Sequence, residues 1–449
     1  MKLSFEKVNK ILLGVTIAAL IFRKGNFFNS YIPKPFELGF VFVCVSTLVY
    51  LLTHNKIKTF FLSISKHIWI AVVCLVASIL LGWGIASSFM RIPTTLNTVL
   101  EFGTFFIGLC IFILVLFYTR NDHRFSKYYL YALIVPGIYS VFILIPTFVP
   151  QNLLAIDGNF VGLTGNVNIV SKTLLLPALF FVTYTLFPLK NRWYQILFAC
   201  LSIMTIGLLF WIASRGALVG LAAGLLFTWI LFSINNFTWK KTIFSGVIIL
   251  VIVLLGFLLT PYSRKQVVLT RILYSDAVQF SQVEIKEKPL GSIVKESIVK
   301  KTTKEKGTIT VTNSEHVDSK PVVIETRFQI WPYYIKNYIL RNPFGIGPNT
   351  HIESKITNTN GEYVSTGPHN TYLQLLLWGG IIALGGFLYL LWSAFINLRH
   401  QLKQNFLPNI LIVATALFAL LVTILFDDSL SLYSLWVILG LALNKWPHH

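Results

Sequence analysis

The sequence predicts an all-α polytopic membrane protein of about twelve transmembrane helices with one large loop outside the membrane. Three observations carry that prediction. Apolar runs of about 18 residues or more recur along the chain, the length needed to cross a hydrocarbon core of ~30 Å at ~1.5 Å per residue. Lys and Arg collect in alternate short connections. A single long polar stretch, Tyr262 to Asn370, interrupts the apolar pattern.

The predicted spans are about 9–22, 35–53, 67–87, 95–118, 127–149, 169–187, 192–211, 214–234, 241–260, 370–396, 406–426 and 429–445. They divide the chain into a first membrane part, 1–261, a loop with an amphipathic helix, 262–369, and a second membrane part, 370–449. The first run follows Lys2, Lys7 and Lys10 as a signal peptide would, but no small-residue cleavage site follows it, so it reads as a retained helix. With the N-terminus in the cytoplasm, Lys56, Lys58, Lys66, Arg120, Arg124, Lys127, Lys190, Arg192, Lys240, Lys241, Arg399 and Lys403 all fall inside. The alternate loops are poor in basic residues, Arg23 and Lys24 being the exception. Both termini are therefore expected in the cytoplasm and the long loop outside.

Composition limits the function classes. The chain is 55% hydrophobic and 12% charged, with a net charge of +20. In a soluble protein that charge would point to nucleic acid; here membrane topology accounts for it, and no nucleic-acid partner is expected. Cys44, Cys74, Cys110 and Cys200 lie in apolar runs without paired spacing and read as small buried hydrophobes. No cofactor is implied, and Gly345-Ile346-Gly347-Pro348 lacks the Lys of a phosphate-binding loop.

The eighth span opens Ser214-Arg215-Gly216, with Gly216, Gly220 and Gly224 on one face, a pattern for close helix packing. Arg215 stands at the outer end of that span, where a snorkelling arginine is the plain alternative to a functional one. In the loop, 262–322 is rich in Lys, Thr, Val and Ile, and runs such as Thr308-Ile309-Thr310-Val311-Thr312 read as weak strands or a mobile extension. From 323 to 340, Ile330, Trp331, Tyr334, Ile335, Tyr338 and Ile339 recur near a helical period with Arg327 on the same face, an amphipathic helix at the membrane surface. Pro332 is an irregularity there unless it falls in the first turn. Asn342-Pro343 and the Gly345-to-Pro348 stretch end the helix, and His369-Asn370 opens the next span.

Arg215, Arg327 and His369 can converge on one anionic substrate outside the membrane. Arginine pairs bidentately with phosphate oxygens, and histidine, with a reference pKa of ~6.5, exchanges a proton near neutrality. Such a set suits glycosyl transfer from a polyprenyl diphosphate: the arginines stabilise the departing diphosphate and the histidine deprotonates the attacking hydroxyl. An interfacial or capping histidine is the plain alternative. For a metal-dependent route, Asp276 and Asp318 are isolated, and His316 and His351 lack partners at ligand spacing. Asp427-Asp428 is the adjacent acidic pair outside, read first as a polar turn and second as a metal or acceptor site.

These motifs, Ser214-Arg215-Gly216, Arg327 with Trp331, Asn342-Pro343-Phe344-Gly345-Ile346-Gly347-Pro348 and His369-Asn370-Thr371-Tyr372-Leu373, taken in order, resemble the O-antigen ligase and O-antigen polymerase family. The resemblance covers about 205–225 and 322–395; elsewhere only the topology agrees. It implies a metal-independent, inverting membrane glycosyltransferase with a GT-C-like fold in the bacterial inner membrane, with its site on the periplasmic face. The implied partners are a glycan on undecaprenyl diphosphate, a lipid A–core or other glycan acceptor, and the bilayer. By the same resemblance Arg215 and Arg327 bind the diphosphate and His369 activates the acceptor, with Arg341, Trp331 and Asn370 as further substrate contacts. The Lys/Thr/Val-rich stretch near 283–325 departs from the family pattern and leaves acceptor identity open. A ligase is the favoured reading and a repeat-unit polymerase the second. A transporter of lipid-linked sugars is a third, disfavoured because ionisable residues are scarce within the spans; a non-catalytic scaffold is a fourth.

Overall fold

A computed structural model describes residues 4–19, 35–88, 94, 96–143, 155–156, 159–160, 167–189, 191–235, 238–273, 322–323, 327–348, 356–357, 368–426, 430 and 432–446. Those residues are almost wholly helical. The helices are α1 (Phe5–Ala18), α2 (Pro35–Thr53), α3 (Ile57–Ser63), α4 (Lys66–Ser88), α5 (Leu96–Asn121), α6 (Arg124–Ala132), α7 (Val135–Ile143) and α8 (Val167–Leu186). There follow α9 (Arg192–Ile212), α10 (Arg215–Asn235), α11 (Trp239–Leu259), α12 (Tyr262–Leu273), α13 (Arg327–Tyr334), α14 (Thr371–Gln404), α15 (Pro408–Thr423) and α16 (Tyr433–Ala442). Among the described residues, sheet is confined to two-residue pairs: Ala155–Ile156 antiparallel to Asn159–Phe160, and Val322–Val323 parallel to Ile356–Thr357.

Among the described residues eight helices are long and apolar enough to cross a membrane, α4, α5, α8, α9, α10, α11, α14 and α15, and the bent pair of α2 with α3 makes nine if counted as one span. The chain is a multi-pass membrane protein. The other predicted spans fall on shorter helices. The run at 9–22 is the 14-residue α1, that at 429–445 is the 10-residue α16, and 127–149 is broken into α6 and α7 by a turn at Leu133–Ile134. The chain bends by 115° between α2 and α3, where Asn55 takes a left-handed φ of 53°.

Burial follows the demand that backbone polar groups be satisfied within each helix and apolar side chains meet lipid or one another. Helices α8 and α15 run through the middle of the bundle, while α11 turns Phe244, Val247, Leu250, Leu254 and Leu258 outward as a lipid-facing surface. The glycine face of α10 does what its spacing predicts. Gly220 lies against Thr423 and Ala419 of α15, and a Cβ on Gly224 would meet Ala419 at 2.9 Å and Leu179 of α8 at 3.0 Å. The four cysteines are unbridged.

Three further elements differ from the sequence-based expectation. Residues 262–273, assigned to the loop, form α12: Pro261 interrupts the preceding span, and the amphipathic Arg264, Lys265, Val268 and Leu269 then resume a helix. The amphipathic segment at 323–340 is α13 followed by a π-turn, Ile335–Ile339, with Pro332 sixth in the helix and not in its first turn. The third is α14, which is continuous in hydropathy but broken at Gly379 and Gly380 (φ 65°). The Thr308–Thr312 run lies outside the described residues.

Candidate active site

The break in α14 builds one wall of the site. Unwinding at Gly379–Gly380 removes helical partners from the Leu377 and Trp378 carbonyls and from the Ile381 N–H, groups too costly to bury unpaired. The Asn342–Pro348 turn supplies what is missing. Ile346 N–H donates to Leu377 O at 2.6 Å, Gly347 N–H donates to Trp378 O at 2.9 Å, and Ile381 N–H donates to Pro343 O at 3.2 Å. Only glycine fits at two of the contacts. A Cβ on Gly380 would fall on the Pro343 carbonyl, and one on Gly347 (φ 73°) would come within 2.6 Å of the Trp83 backbone on α4. The turn read from sequence as a helix terminator is therefore an interlock between α4, α14 and the segment leaving α13.

His369 and Asn370 stand at the start of α14. Asn370 is its N-cap, its Oδ1 accepting from Tyr372 N–H at 2.9 Å and Leu373 N–H at 3.1 Å, so its carboxamide oxygen is engaged in capping. His369 is half-buried and has a left-handed φ of 47°, a conformation uncommon for residues other than glycine and concentrated at functional positions. Trp331 of α13 donates from Nε1 to Pro368 O at 2.9 Å, which ties the amphipathic helix to the residue before His369.

Arg215 opens α10, half-buried, directly after the left-handed Ala213 and the buried Ser214. The far end of α15 brings this helix start to the start of α14. A Cβ on Gly216 would lie 3.6 Å from both Phe426 and the Thr423 carbonyl, and Tyr372 OH donates to the Leu421 carbonyl at 3.4 Å. Arg215 and His369 thus belong to the same end of the bundle, joined through residues 421–426. Arg327 is the first residue of α13, the helix that Trp331 fixes to Pro368; Arg341 lies just beyond the π-turn and is exposed. Asp427 and Asp428 lie outside the described residues.

Other polar groups near this end were given no site role from sequence. Burial, with Tyr333 alongside, pushes the Tyr338 phenol above its usual range. Gln374 Oε1 and Trp378 Nε1, one turn apart along α14, are buried without a hydrogen-bond partner among the described residues. Lys172 of α8 is 5% exposed and was passed over because it stands alone in an apolar run. Among the described residues no three His, Cys, Asp or Glu side chains gather as a metal site would require.

A comparison with curated proteins returns no match. A comparison with family models matches residues 197–388 to the family described as O-antigen ligase. That stretch contains Arg215, Arg327, Trp331, Arg341, His369 and Asn370, together with the interlock between the Asn342–Pro348 turn and the broken helix. Over residues 197–388 this multi-pass membrane chain is therefore similar to the O-antigen ligase family.

Proposed function

We propose that the protein transfers a glycan from undecaprenyl diphosphate to a lipid A–core acceptor in the bacterial inner membrane. Both termini are cytoplasmic and the site faces the periplasm. The twelve spans of a GT-C-like fold comprise the eight long helices, the bent α2–α3 pair, α1, the broken α6–α7 segment and α16. The observation that carries the reading is the meeting of the Arg215 and His369 helix starts at the end of α15, inside the stretch that matches the ligase family.

The reaction assigned to this end is an inverting displacement. The acceptor hydroxyl oxygen forms a bond to the anomeric carbon while the bond from that carbon to the diphosphate oxygen breaks. His369 takes the hydroxyl proton, and the electron pair leaves with undecaprenyl diphosphate. Arg215 and Arg327 hold that charge, each through a planar fork that matches phosphate oxygens. Trp331 and Arg341 line the approach from the loop, and Asn370 keeps His369 at the mouth of α14 by capping it.

Two arginines in place of a divalent cation have a direct consequence. Transfer by the purified protein should continue at an undiminished rate in excess EDTA. Loss of activity restored by Mg²⁺ or Mn²⁺ would defeat the arginine assignment and bring Asp427 and Asp428 forward as ligands.

A further inference from the structure

Lys172, like Lys10 of α1, is a buried lysine that this mechanism leaves unused. It stands in the first two turns of α8, and its side chain is 5% exposed. A lysine within a membrane span is expensive unless it faces the bundle interior and a polar pathway, and such residues are functional by default. The contacts of α8 fix the direction in which this one faces. Asn168, one turn before Lys172, accepts a hydrogen bond from Ser214 Oγ at 3.2 Å. Leu179, two turns after it, lies against Gly224 of α10. Residues 168, 172 and 179 fall on one helical stripe, so Lys172 lies on the face turned to α10, between a contact at the mouth and a contact at depth.

The direction along the helix follows as well. Helices α8 and α10 run parallel, since their N-terminal contact is 168 to 214 and their deeper one 179 to 224. Long side chains on a helix lean toward its N-terminus. By that rule the Lys172 side chain leans toward the end of α8 nearest Ser214 and Arg215, where Asn168 is exposed.

We propose that Lys172 is a third cation of the diphosphate site, lying below the Asn168–Ser214 contact and meeting the phosphate that sits deepest. This rests on the reading of Arg215 as a diphosphate ligand and extends it. The arginine fork takes one phosphate at the mouth, and a lysine point charge takes the second from the bundle side, so the pair measures the difference between a lipid diphosphate and a monophosphate. Lys172 is then a binding residue that neither the Arg215-to-His369 arrangement nor the matched 197–388 stretch includes.

The test measures equilibrium binding of undecaprenyl diphosphate and undecaprenyl phosphate to the purified full chain in lipid nanodiscs. Wild type, Lys172→Gln, Lys172→Met, Lys172→Arg and Arg215→Gln are compared, with a thermal melt on each. Lys172→Gln and Lys172→Met should weaken diphosphate binding about ten-fold or more while monophosphate binding changes little, and Lys172→Arg should keep most of the affinity. Diphosphate binding unchanged in both neutral variants, or lost equally in Lys172→Arg, would overturn the proposal and leave Lys172 a structural cation. So would unfolding of both neutral variants. Arg215→Gln separates the two readings. If it weakens binding and the lysine variants do not, only the third cation fails; if neither does, the diphosphate site itself is misplaced.

Discussion

At the scale of the residue, the account rests on a few groups whose chemistry cannot be exchanged for something similar. Arg215→Lys keeps a positive charge but loses the planar fork and two of the five donors. It should lower both donor affinity and transfer rate by about ten-fold or more, and Arg327→Lys should behave alike; steady-state kinetics on the lipid-linked donor reads both. Wild-type kinetics in either variant would return that arginine to the role of an interfacial anchor. The helix-start positions of Arg215 and His369 were legible from sequence because each stands at the edge of an apolar run, where hydropathy changes abruptly. The left-handed backbone at His369 was not legible, since nothing in His369-Asn370-Thr371 states how the preceding chain arrives. Lys172 was missed for the opposite reason: one lysine barely dents the hydropathy of a 20-residue helix, and its significance comes from the Ser214 and Gly224 contacts on either side of it.

At the scale of the element, the break in α14 and the turn that fills it form a single device. The unwound carbonyls of Leu377 and Trp378 and the N–H of Ile381 have partners only while the Asn342–Pro348 turn is docked. Gly380→Ala adds a Cβ that falls on the Pro343 carbonyl and imposes a φ that alanine tolerates poorly. It should lower the thermal stability of the purified protein by about 3 kcal/mol or more, or prevent its recovery in folded form. Gly385→Ala, five residues on, meets nothing within 4 Å and should leave the melt unchanged or slightly raised. Equal melts for the two variants would mean that the interlock is not a stabilising contact. One half of the device, the Gly/Pro-rich turn, was read from sequence; the other, the Gly379-Gly380 pair, went unread inside a continuous apolar run, although its glycines were visible there. The meeting of the two halves was not visible, because it joins segments some thirty residues apart through backbone atoms that carry no sequence signature. The amphipathic helix α12 was lost to the loop for a local reason: Pro261 ends one periodicity just before another begins.

At the scale of the whole molecule, hydropathy located seven of the eight long spans within a few residues and placed the start of α14 but not its Gln404 end, since length and apolar content are what a bilayer demands. It did not show that α1, α6 and α16 are short, and the break at Leu133–Ile134, which Pro136 and Gly137 signal locally, is averaged away in mean hydropathy. Orientation depends on the basic loops. A reporter fused near Lys304 should respond as external and one near Arg399 as cytoplasmic; a cytoplasmic response at Lys304 would place the proposed site on the wrong side of the membrane. The central claim, that this end of the bundle performs glycan transfer with His369 as its base, is tested most directly by measuring donor binding and transfer on the same purified His369→Ala protein. The account predicts binding of the undecaprenyl diphosphate-linked donor close to wild type, with transfer slowed about 10²- to 10⁴-fold. Transfer at the wild-type rate would contradict it and leave His369 as nothing more than the residue that opens α14.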